Sequence, residues 1–189
     1  LAISCCGALA ELNYSNAGTL EFLFQDGAFY FIEMNTRIQV EHPITESVTG
    51  IDLVKLQLSF ASTGRLSLLQ SDVCFSGHAM ECRINAEDRN FQPAPGAVNQ
   101  YRTPGGPGIR LDSHLYPGYI VPHQYDSLLA KVISTGSDRA ECIARMERAL
   151  VEFVIGPVST NIDLQRFILR DARFRSGELD THFLEGMEK

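Results

Sequence analysis

A short stretch in the first third of the sequence carries an unusual density of polar side chains. Directly after the apolar run Phe29–Ile32 it holds a set of acid–base and hydrogen-bonding groups: Glu33, Asn35, Arg37, Gln39, Glu41 and His42. Charged groups that follow a buried strand are usually paired or hold a ligand. Carboxylate and amide oxygens are ligands of hard cations such as Mg²⁺ or Mn²⁺, and a planar guanidinium suits a carbonate- or phosphate-like anion. The stretch therefore predicts a metal ion held beside an oxyanion.

The spacing of these groups leaves two interpretations open. From Glu33 to Glu41 the polar groups fall on odd positions, so an extended backbone would place them on one face. That face would carry the donors that a metal and an oxyanion need. The same pattern is also compatible with a solvated strand edge that contains an internal Arg–Glu ion pair.

The segment before this stretch predicts a β-hairpin. Residues 18–25 and 28–34 have strand composition, and Asp26-Gly27 between them is a strong turn signal. A two-residue turn pairs Glu21 with Ile32, whereas a three-residue loop pairs Glu21 with Glu33. Two carboxylates face to face repel each other unless a cation lies between them. If both bind one metal, the loop must be the longer kind or contain a bulge; otherwise Glu21 is a lone edge carboxylate.

Helical and strand patterns account for much of the remaining sequence. We predict helices over residues 1–13, 44–49 and 52–63 and another beginning near residue 137, and strands over residues 77–86 and 128–134. The helix after Asp138 has a predicted apolar stripe of Ile143, Met146, Leu150, Val151 and Val154. Residues 157–161 break the chain, and the helix that follows is predicted to turn Leu164, Phe167 and Ile168 inward.

The strand predicted over residues 77–86 has two different faces. His78, Met80, Cys82 and Ile84 share one face, and Ala79, Glu81, Arg83 and Asn85 share the other. The charged face is either an outer surface or the wall of a cleft. The Gly-rich turn at residues 105–108 has no following Lys-Ser/Thr and no GxGxxG pattern, so we predict a hairpin turn and not a phosphate loop.

Composition excludes several classes of protein. The 189 residues carry a formal net charge of −7 with no cluster of Lys or Arg, which argues against nucleic acid or an anionic membrane as the main partner. No apolar run approaches the length of a membrane span. The five cysteines are odd in number and form no CxxC pair, so the composition favours a reducing, cytoplasmic setting over a disulfide framework.

Five motifs in order along the chain resemble the biotin carboxylase family, the ATP-dependent component of biotin-dependent carboxylases. They are residues 18–24 (GTLEFLF), 33–43 (EMNTRIQVEHP), 81–87 (ECRINAE), 112–118 (DSHLYPG) and 125–131 (YDSLLAK). The resemblance covers nearly the whole chain but only the later part of such an enzyme. It implies an α+β fold: the end of an ATP-grasp domain over residues 1–66, with an antiparallel sheet and helices, then the family's C-terminal sheet-and-helix domain over residues 67–189.

The resemblance also implies roles for individual residues. Glu21, Glu33 and Asn35 resemble the ligands that hold Mg²⁺ or Mn²⁺ against the phosphates of ATP. Arg37 resembles the arginine that binds bicarbonate and carboxyphosphate, with Gln39 and the backbone amide of Val40 as further bicarbonate contacts. Glu41 resembles the general base that deprotonates bicarbonate. Arg83 resembles the arginine that meets the ureido oxygen of biotin as it becomes an enolate.

The resemblance implies partners and an expectation about activity. The reaction joins ATP, bicarbonate and a biotinyl carrier protein, and the partners are the biotin carboxyl carrier protein, a carboxyltransferase component and, in the full-length enzyme, a second copy. Because the sequence begins at Leu1 within a helical pattern, we expect a fragment that lacks the lysines contacting ATP and is inactive alone. The biotin carboxylase component of an acetyl-CoA carboxylase, acting in fatty acid synthesis, is favoured as the parent.

Three alternatives remain open at this point. A pyruvate, propionyl-CoA or other acyl-CoA carboxylase is nearly as compatible as the parent enzyme. The chain can also be a non-catalytic module for dimerisation and carrier docking. Another ATP-grasp ligase is the third alternative, and the residues 39–43 and 81–83 favour biotin chemistry over it.

Overall fold

The structure of the chain, a computed structural model, describes residues 1–185 and consists of two compact units. The first comprises Leu1–Cys74, and the second begins at Phe75. The domain limit predicted at residue 66 falls before this division and stays a prediction. Within the described residues, the helices are too short or too polar to cross a bilayer.

The first unit is a helix, a two-stranded hairpin and two further helices. The elements are α1 (Ala2–Glu11), β1 (Thr19–Gln25), β2 (Ala28–Asn35), α2 (His42–Thr49) and α3 (Leu53–Thr63), followed by a 3₁₀ turn at Gln70–Asp72. Asp52 accepts a hydrogen bond from the backbone N–H of Lys55 at 2.8 Å and so caps α3, and Gly64 ends that helix in the left-handed conformation. The predicted order of elements is therefore confirmed here.

As far as residue 185, the second unit is built from three small antiparallel sheets and three helices. Its elements are β3 (His78–Asn85), β4 (Gly96–Val98), β5 (Gln100–Arg102), β6 (Ile109–Ser113), β7 (Tyr119–Val121), β8 (Leu128–Gly136), α4 (Arg139–Glu152), β9 (Val154–Gly156), α5 (Ile162–Arg170) and α6 (Ala172–Ser176). One sheet, the central sheet, has the order β3-β8-β6, and the pairs β4-β7 and β5-β9 form two separate two-stranded sheets. Antiparallel sheets with packed helices confirm the predicted α+β class.

The core of the second unit lies between the central sheet and α4. From the sheet come Cys82, Ile84, Leu129 and Val132, and from α4 come Cys142, Ile143, Met146, Ala149 and Leu150. Burial of this apolar surface is the main force that holds β3 in place. Because β3 alternates between its two faces, the charged side chains of the same strand must lie on the side away from this core.

Parts of the predicted helix stripes are wrong. Val151 is 54% exposed, because it falls one residue past the inward row of α4, and Val154 lies in β9 rather than in the helix. Phe167 was predicted to point inward but is 50% exposed, because Ile162 and Leu169 supply the buried row of α5. The rest of the predicted α4 stripe is confirmed, because Ile143, Met146 and Leu150 are buried.

Candidate functional site

A β-bulge in the hairpin brings Glu21 and Glu33 opposite each other. Asp26 and Gly27 both have positive φ, 51° and 79°, and form the two-residue turn. Such a turn alone pairs Glu21 with Ile32, but the register shifts by one between Glu21 and Phe22, so that Glu21 faces Glu33. The two carboxylates therefore share one face of the hairpin through a bulge and not through a longer loop.

Two amide groups converge on these carboxylates. The Nδ2 of Asn35 donates to Glu21 Oε1 at 2.7 Å and to Glu33 Oε1 at 3.0 Å. The Nε2 of Gln39 donates to the same Glu21 oxygen at 2.6 Å. Glu21 is therefore half-buried and bonded to two amides, so the interpretation of a lone edge carboxylate is wrong.

The backbone after Asn35 is not extended as the alternating pattern assumed. β2 ends at Asn35, and the chain bends at Thr36 and Arg37 before it enters α2. Despite the bend, Arg37 remains linked to the carboxylates through Asn35, because its Nη2 donates to Asn35 Oδ1 at 3.3 Å. Its Nη1 donates to the carbonyl of Ile38 at 3.1 Å. The side chains of Glu21, Asn35 and Arg37 are therefore held together by hydrogen bonds and not by the alternation of an extended strand.

The residues after Gln39 form the entry into α2. Glu41 occupies the N-cap position of α2, and Pro43 lies in the first turn, where the missing N–H of proline does no harm. The Nδ1 of His42 lies 2.9 Å from the carbonyl oxygen of Gln39, which ties the helix start back to the polar cluster. Val40 and Glu41 are both half-buried in this turn.

The donor set at the bulge fits a hard divalent cation. It consists of two carboxylates that share a face and one amide group in contact with both. Within residues 1–185 no three His, Cys, Asp or Glu side chains lie together as a metal cluster. The third ligand here would be the amide oxygen of Asn35, which in this structure accepts from Arg37 and would have to turn toward the carboxylates. Oxygen-only donor sets of this kind suit Mg²⁺ or Mn²⁺. Like charges at this spacing also need a positive partner to be stable.

Arg83 lies in the second unit, on the face of β3 opposite the core. Its side chain is 47% exposed, whereas the Glu81 side chain on the same face is 4% exposed. Arg83 Nε and Glu81 Oε1 are 3.7 Å apart. The charged face of β3 is thus partly covered at Glu81 and half-exposed at Arg83.

Burial and the nearby Glu81 carboxylate together raise the pKa of the Cys82 thiol to about 12, so the sulfur is kept neutral.

The neighbouring strands continue this charged face. Lys131 of β8 lies directly across from Arg83 and also across from Asp112 of β6, and its Nζ is 3.5 Å from Asp112 Oδ2. A two-point hydrogen bond from Arg110, together with the charges of Arg110 and Lys131, lowers the pKa of Asp112. The motifs at residues 81–87, 125–131 and 112–118 therefore place Arg83, Lys131 and Asp112 in a single row across the sheet.

A carboxylate joins two of these motifs at the end of the strands. Glu87 Oε1 accepts a hydrogen bond from Asn85 Nδ2 at 2.9 Å and one from Ser127 Oγ at 2.7 Å. The backbone N–H of Ala86 also donates to the carbonyl of Ser127 at 2.8 Å. Sequence analysis does not reveal this link, because Glu87 and Ser127 are far apart in the sequence and carry no spacing signal.

Comparison with known families and proteins agrees with this architecture. Residues 81–186 match the model described as the biotin carboxylase C-terminal domain, and residues 1–69 match the model described as the carbamoyl-phosphate synthase L chain, ATP binding domain. The protein named biotin carboxylase from Pseudomonas aeruginosa is 53% identical over 189 residues, covering 98% of this chain and 42% of that protein. A pyruvate carboxylase subunit of Methanothermobacter thermautotrophicus is 53% identical, covering 94% of this chain and 37% of that protein.

Solved structures show the same fold. The biotin carboxylase domain dimer of Hydrogenobacter thermophilus 2-oxoglutarate carboxylase, in complex with MgADP, ADP and bicarbonate, superposes with a TM-score of 0.91 at 45% identity, over 94% of this chain and 40% of that one. Campylobacter jejuni biotin carboxylase, in a beta-gamma-ATP complex, gives 0.92 at 38% identity, over 97% and 42%. The chain spans less than half the length of these relatives. From the matched models, the sequence identity and the shared fold, the chain belongs to the biotin carboxylase family.

Proposed function

We propose that this chain is the C-terminal part of a biotin carboxylase, which uses ATP and bicarbonate to carboxylate biotin on a carrier protein through carboxyphosphate. The observation that carries the proposal is the bulged register that sets Glu21 opposite Glu33, with Asn35 and Gln39 bonded to the pair. Two carboxylates that face each other do not stabilise a hairpin, because they repel. They are required if ATP phosphates and a divalent cation bind at this position.

The first unit would activate bicarbonate. Glu21, Glu33 and Asn35 would hold Mg²⁺ or Mn²⁺, and such a cation supplies charge neutralisation at the phosphates of ATP when it is bound. Arg37 would bind the bicarbonate oxyanion, because a guanidinium pairs with a planar anion at two points. Glu41 would accept the bicarbonate proton, so that an oxygen of the anion can attack the γ-phosphorus.

Two further residues of this segment would complete the bicarbonate site. The backbone amide of Val40 would donate to the anion. Gln39 would contribute its side chain, which in this structure donates to Glu21, so the same amide would link the anion site to the carboxylate pair. The relative from Hydrogenobacter thermophilus, bound to MgADP and bicarbonate, supports the presence of both ligands in one enzyme of this family.

The second unit would carry out the transfer to biotin. Arg83 would stabilise negative charge on the ureido oxygen of biotin, since a guanidinium keeps its proton at any physiological pH. The Arg83 side chain is 47% exposed, which is compatible with contact to a ligand. The cofactors are thus ATP, a divalent metal and biotin on the carrier, and the enzyme would act in the cytoplasm.

The parent carboxylase has two well-supported candidates. The match to biotin carboxylases such as that of Pseudomonas aeruginosa favours the biotin carboxylase component of an acetyl-CoA carboxylase, which would supply fatty acid synthesis. The equal identity to a pyruvate carboxylase component favours a pyruvate carboxylase as the alternative. In either case the partners would be the carrier protein and a carboxyltransferase, and a second copy in the assembled enzyme is supported by the dimeric relative.

Reassembly of a complete enzyme tests the proposal. The chain is mixed with the part of the Pseudomonas aeruginosa relative that precedes the matched segment, and transfer of labelled bicarbonate to free biotin is followed. We expect transfer that requires ATP and both parts, and none from the chain alone, because the chain covers only 42% of that relative. Native mass spectrometry establishes that the two parts associate.

The controls separate assembly from chemistry. Glu41→Gln removes the proposed base with little change in volume and is expected to lower transfer by about 10²-fold without preventing association. Glu11→Gln, on the exposed face of α1, is the matched control and should leave transfer unchanged. Transfer by the chain alone, or an associated pair that fails to carboxylate biotin, would refute the proposal.

A further inference from the structure

Asn161 is bonded to the strand that carries Arg83. In the sheet order β3-β8-β6, β3 pairs with β8 on one side, and its other edge is where Asn161 lies. Asn161 Nδ2 donates to the carbonyl of Arg83 at 3.1 Å, and Asn161 Oδ1 accepts from the N–H of Asn85 at 3.0 Å. The N–H of Asn161 donates to the carbonyl of Asn85 at 3.2 Å. One residue therefore makes three hydrogen bonds to the edge of β3.

The carboxamide of asparagine is suited to this task. It presents one donor and one acceptor side by side, as a backbone peptide of a neighbouring strand does. Asn161 thereby replaces the missing strand at the point where β3 carries its arginine. Gln165, one turn further along α5, donates from Nε2 to the same Arg83 carbonyl at 3.4 Å. The start of α5 is therefore fixed to β3 at Arg83.

The Arg83 side chain has a second point of support. Glu81 lies two residues earlier on the same face, with its carboxylate almost fully buried and 3.7 Å from Arg83 Nε. The buried anion attracts the guanidinium from one side, while the arginine side chain as a whole stays half-exposed. The backbone of Arg83 is thus bonded to Asn161, and its head group is paired with Glu81.

We propose that Asn161 is a positioning residue for biotin carboxylation, which fixes the β3 backbone so that Arg83 meets its ligand in one orientation. The proposal rests on the role of Arg83 given under the proposed function. Displacing a group by about 1 Å from its reacting position is enough to slow a reaction by about 10²-fold, so a contact that holds a backbone can matter without touching substrate.

The test compares Asn161→Asp with the matched control Asn90→Asp. Both introduce one carboxylate, but Asn161→Asp replaces the donor facing the Arg83 carbonyl with a repelling oxygen, whereas Asn90 lies on the exposed turn at residues 88–92. In the reassembled enzyme we expect Asn161→Asp to lower kcat for biotin carboxylation by about tenfold. ATP hydrolysis measured without biotin should stay within about twofold, because it does not use Arg83. Asn90→Asp should change neither rate.

These outcomes distinguish positioning from folding. A general loss of structure would lower both reactions together, so a selective loss of biotin carboxylation supports the proposal and an equal loss in both contradicts it. If Asn161→Asp does not fold, Asn161→Ala removes the amide without adding charge and takes its place. Unchanged biotin carboxylation in a folded variant would overturn the proposal.

A measurement on the chain alone keeps this test separate from the proposed function. In ¹⁵N-labelled protein, the heteronuclear NOE of the Arg83 Nε–H and of the Asn85 amide reports their order. Both are expected to fall in Asn161→Asp and to stay constant in Asn90→Asp. If the unaltered reassembled enzyme fails to carboxylate biotin, the proposed function is wrong, whereas unchanged NOE values in Asn161→Asp would overturn the role of Asn161 itself.

Discussion

The facing carboxylates of Glu21 and Glu33 are compatible with a hydrogen-bonded structural pair and with a cation-binding site. Their negative charges repel, and in this structure the amide of Asn35 donates to both, which partly offsets the repulsion. A divalent cation would offset it far more strongly, because its charge is full rather than partial. The pair is therefore a place where a cation gains more binding energy than at an isolated carboxylate.

The first prediction concerns this pair. Glu33→Gln keeps the shape of the side chain but removes one of the two charges, so we expect the dissociation constant for Mn²⁺ to rise by at least about tenfold. Titration followed by electron paramagnetic resonance measures it. Glu11→Gln changes a glutamate in α1 and should leave binding unaltered. Equal Mn²⁺ affinity in Glu33→Gln and the unaltered chain would show that the pair does not bind the metal.

A second residue-scale prediction follows from Asp112. The pKa of Asp112 is lowered in the folded state, mainly by the hydrogen bonds from Arg110. The ionised carboxylate therefore stabilises the fold above the usual aspartate pKa of about 3.9. This contribution is lost as the pH falls through the folded-state pKa. Asp112→Asn should therefore lower the free energy of unfolding by about 1 kcal/mol at pH 7, and by much less once both states are protonated. Urea unfolding at pH 7 and below pH 3 measures this.

The control for Asp112 is a carboxylate in an ordinary surface ion pair. Asp163 is 89% exposed and lies 3.1 Å from Arg166. Asp163→Asn should change stability by less than about 0.5 kcal/mol at either pH, because water screens the pair. If Asp112→Asn destabilised the protein equally at both pH values, packing rather than charge would be the cause.

At the scale of elements, the helix α4 begins with side chains that satisfy its free N–H groups. Asp138 accepts from the N–H of Glu141 at 2.8 Å, as the capping-box spacing predicted. The reciprocal bond differs from the prediction: the Glu141 carboxylate accepts from the N–H and hydroxyl of Ser137, one residue earlier than Asp138. These bonds from Ser137 are the main reason that the pKa of Glu141 is lowered.

This cap gives the third prediction. Asp138→Ala removes a bonded N-cap from the helix that covers the core of the second unit, and we expect the free energy of unfolding to fall by about 1 kcal/mol. Thermal or urea unfolding followed by circular dichroism measures the change. Asp138→Ser, which retains an oxygen for the same N–H, should recover most of the loss. A loss of stability that serine does not recover would contradict a capping role.

The elements that the sequence predicts well are those with local signals. The Asp26-Gly27 turn, the Asp52 cap and the alternation of residues 78–85 each depend on neighbours in the chain. The strands β4, β5, β7 and β9 were not predicted, because each has only three residues and pairs with a distant segment. The bulge at Ile32 was one of the alternatives left open, since only tertiary structure decides the register of a hairpin.

In the candidate site, too, the residues with local sequence signals were predicted and those with only long-range contacts were not. Glu21, Glu33, Asn35 and Arg37 were found from the types and spacing of their side chains, and the structure brings them together. Their roles remain predictions until they are measured. Asn161 gave no functional signal in the sequence, where it marks only the end of a chain break. Its three bonds to β3 join residues 76 and 78 positions apart, which no periodic pattern can reveal.

At the scale of the whole molecule, the two units differ in how their apolar side chains are buried. The second unit has a continuous core, whereas Pro43 is the one buried residue among those described in the first. The hairpin of the first unit exposes a set of large apolar side chains: Leu23, Phe24, Phe29, Tyr30, Phe31 and Ile32. A two-stranded hairpin without a covered face is only marginally stable by itself.

The fourth prediction is that hydrogen exchange divides the chain into two classes. Amides of β3, β8 and α4 should exchange through global unfolding of the second unit, while those of β1 and β2 should exchange faster by at least about tenfold. Mass spectrometry of peptides after timed labelling measures both. Equal protection of the hairpin and the central sheet would show that the first unit has stabilising contacts beyond those of its own hairpin.

We propose that the two units divide the reaction: bicarbonate would be activated in the first unit, and the carboxyl group would be transferred to biotin through Arg83 in the second. The most direct test measures both steps in the reassembled enzyme carrying Arg83→Gln. We predict that transfer of labelled bicarbonate to biotin falls by about 10²-fold or more, while ATP hydrolysis measured with bicarbonate but no biotin stays within about threefold. Loss of both activities to the same extent, or full biotin carboxylation without Arg83, would contradict the claim.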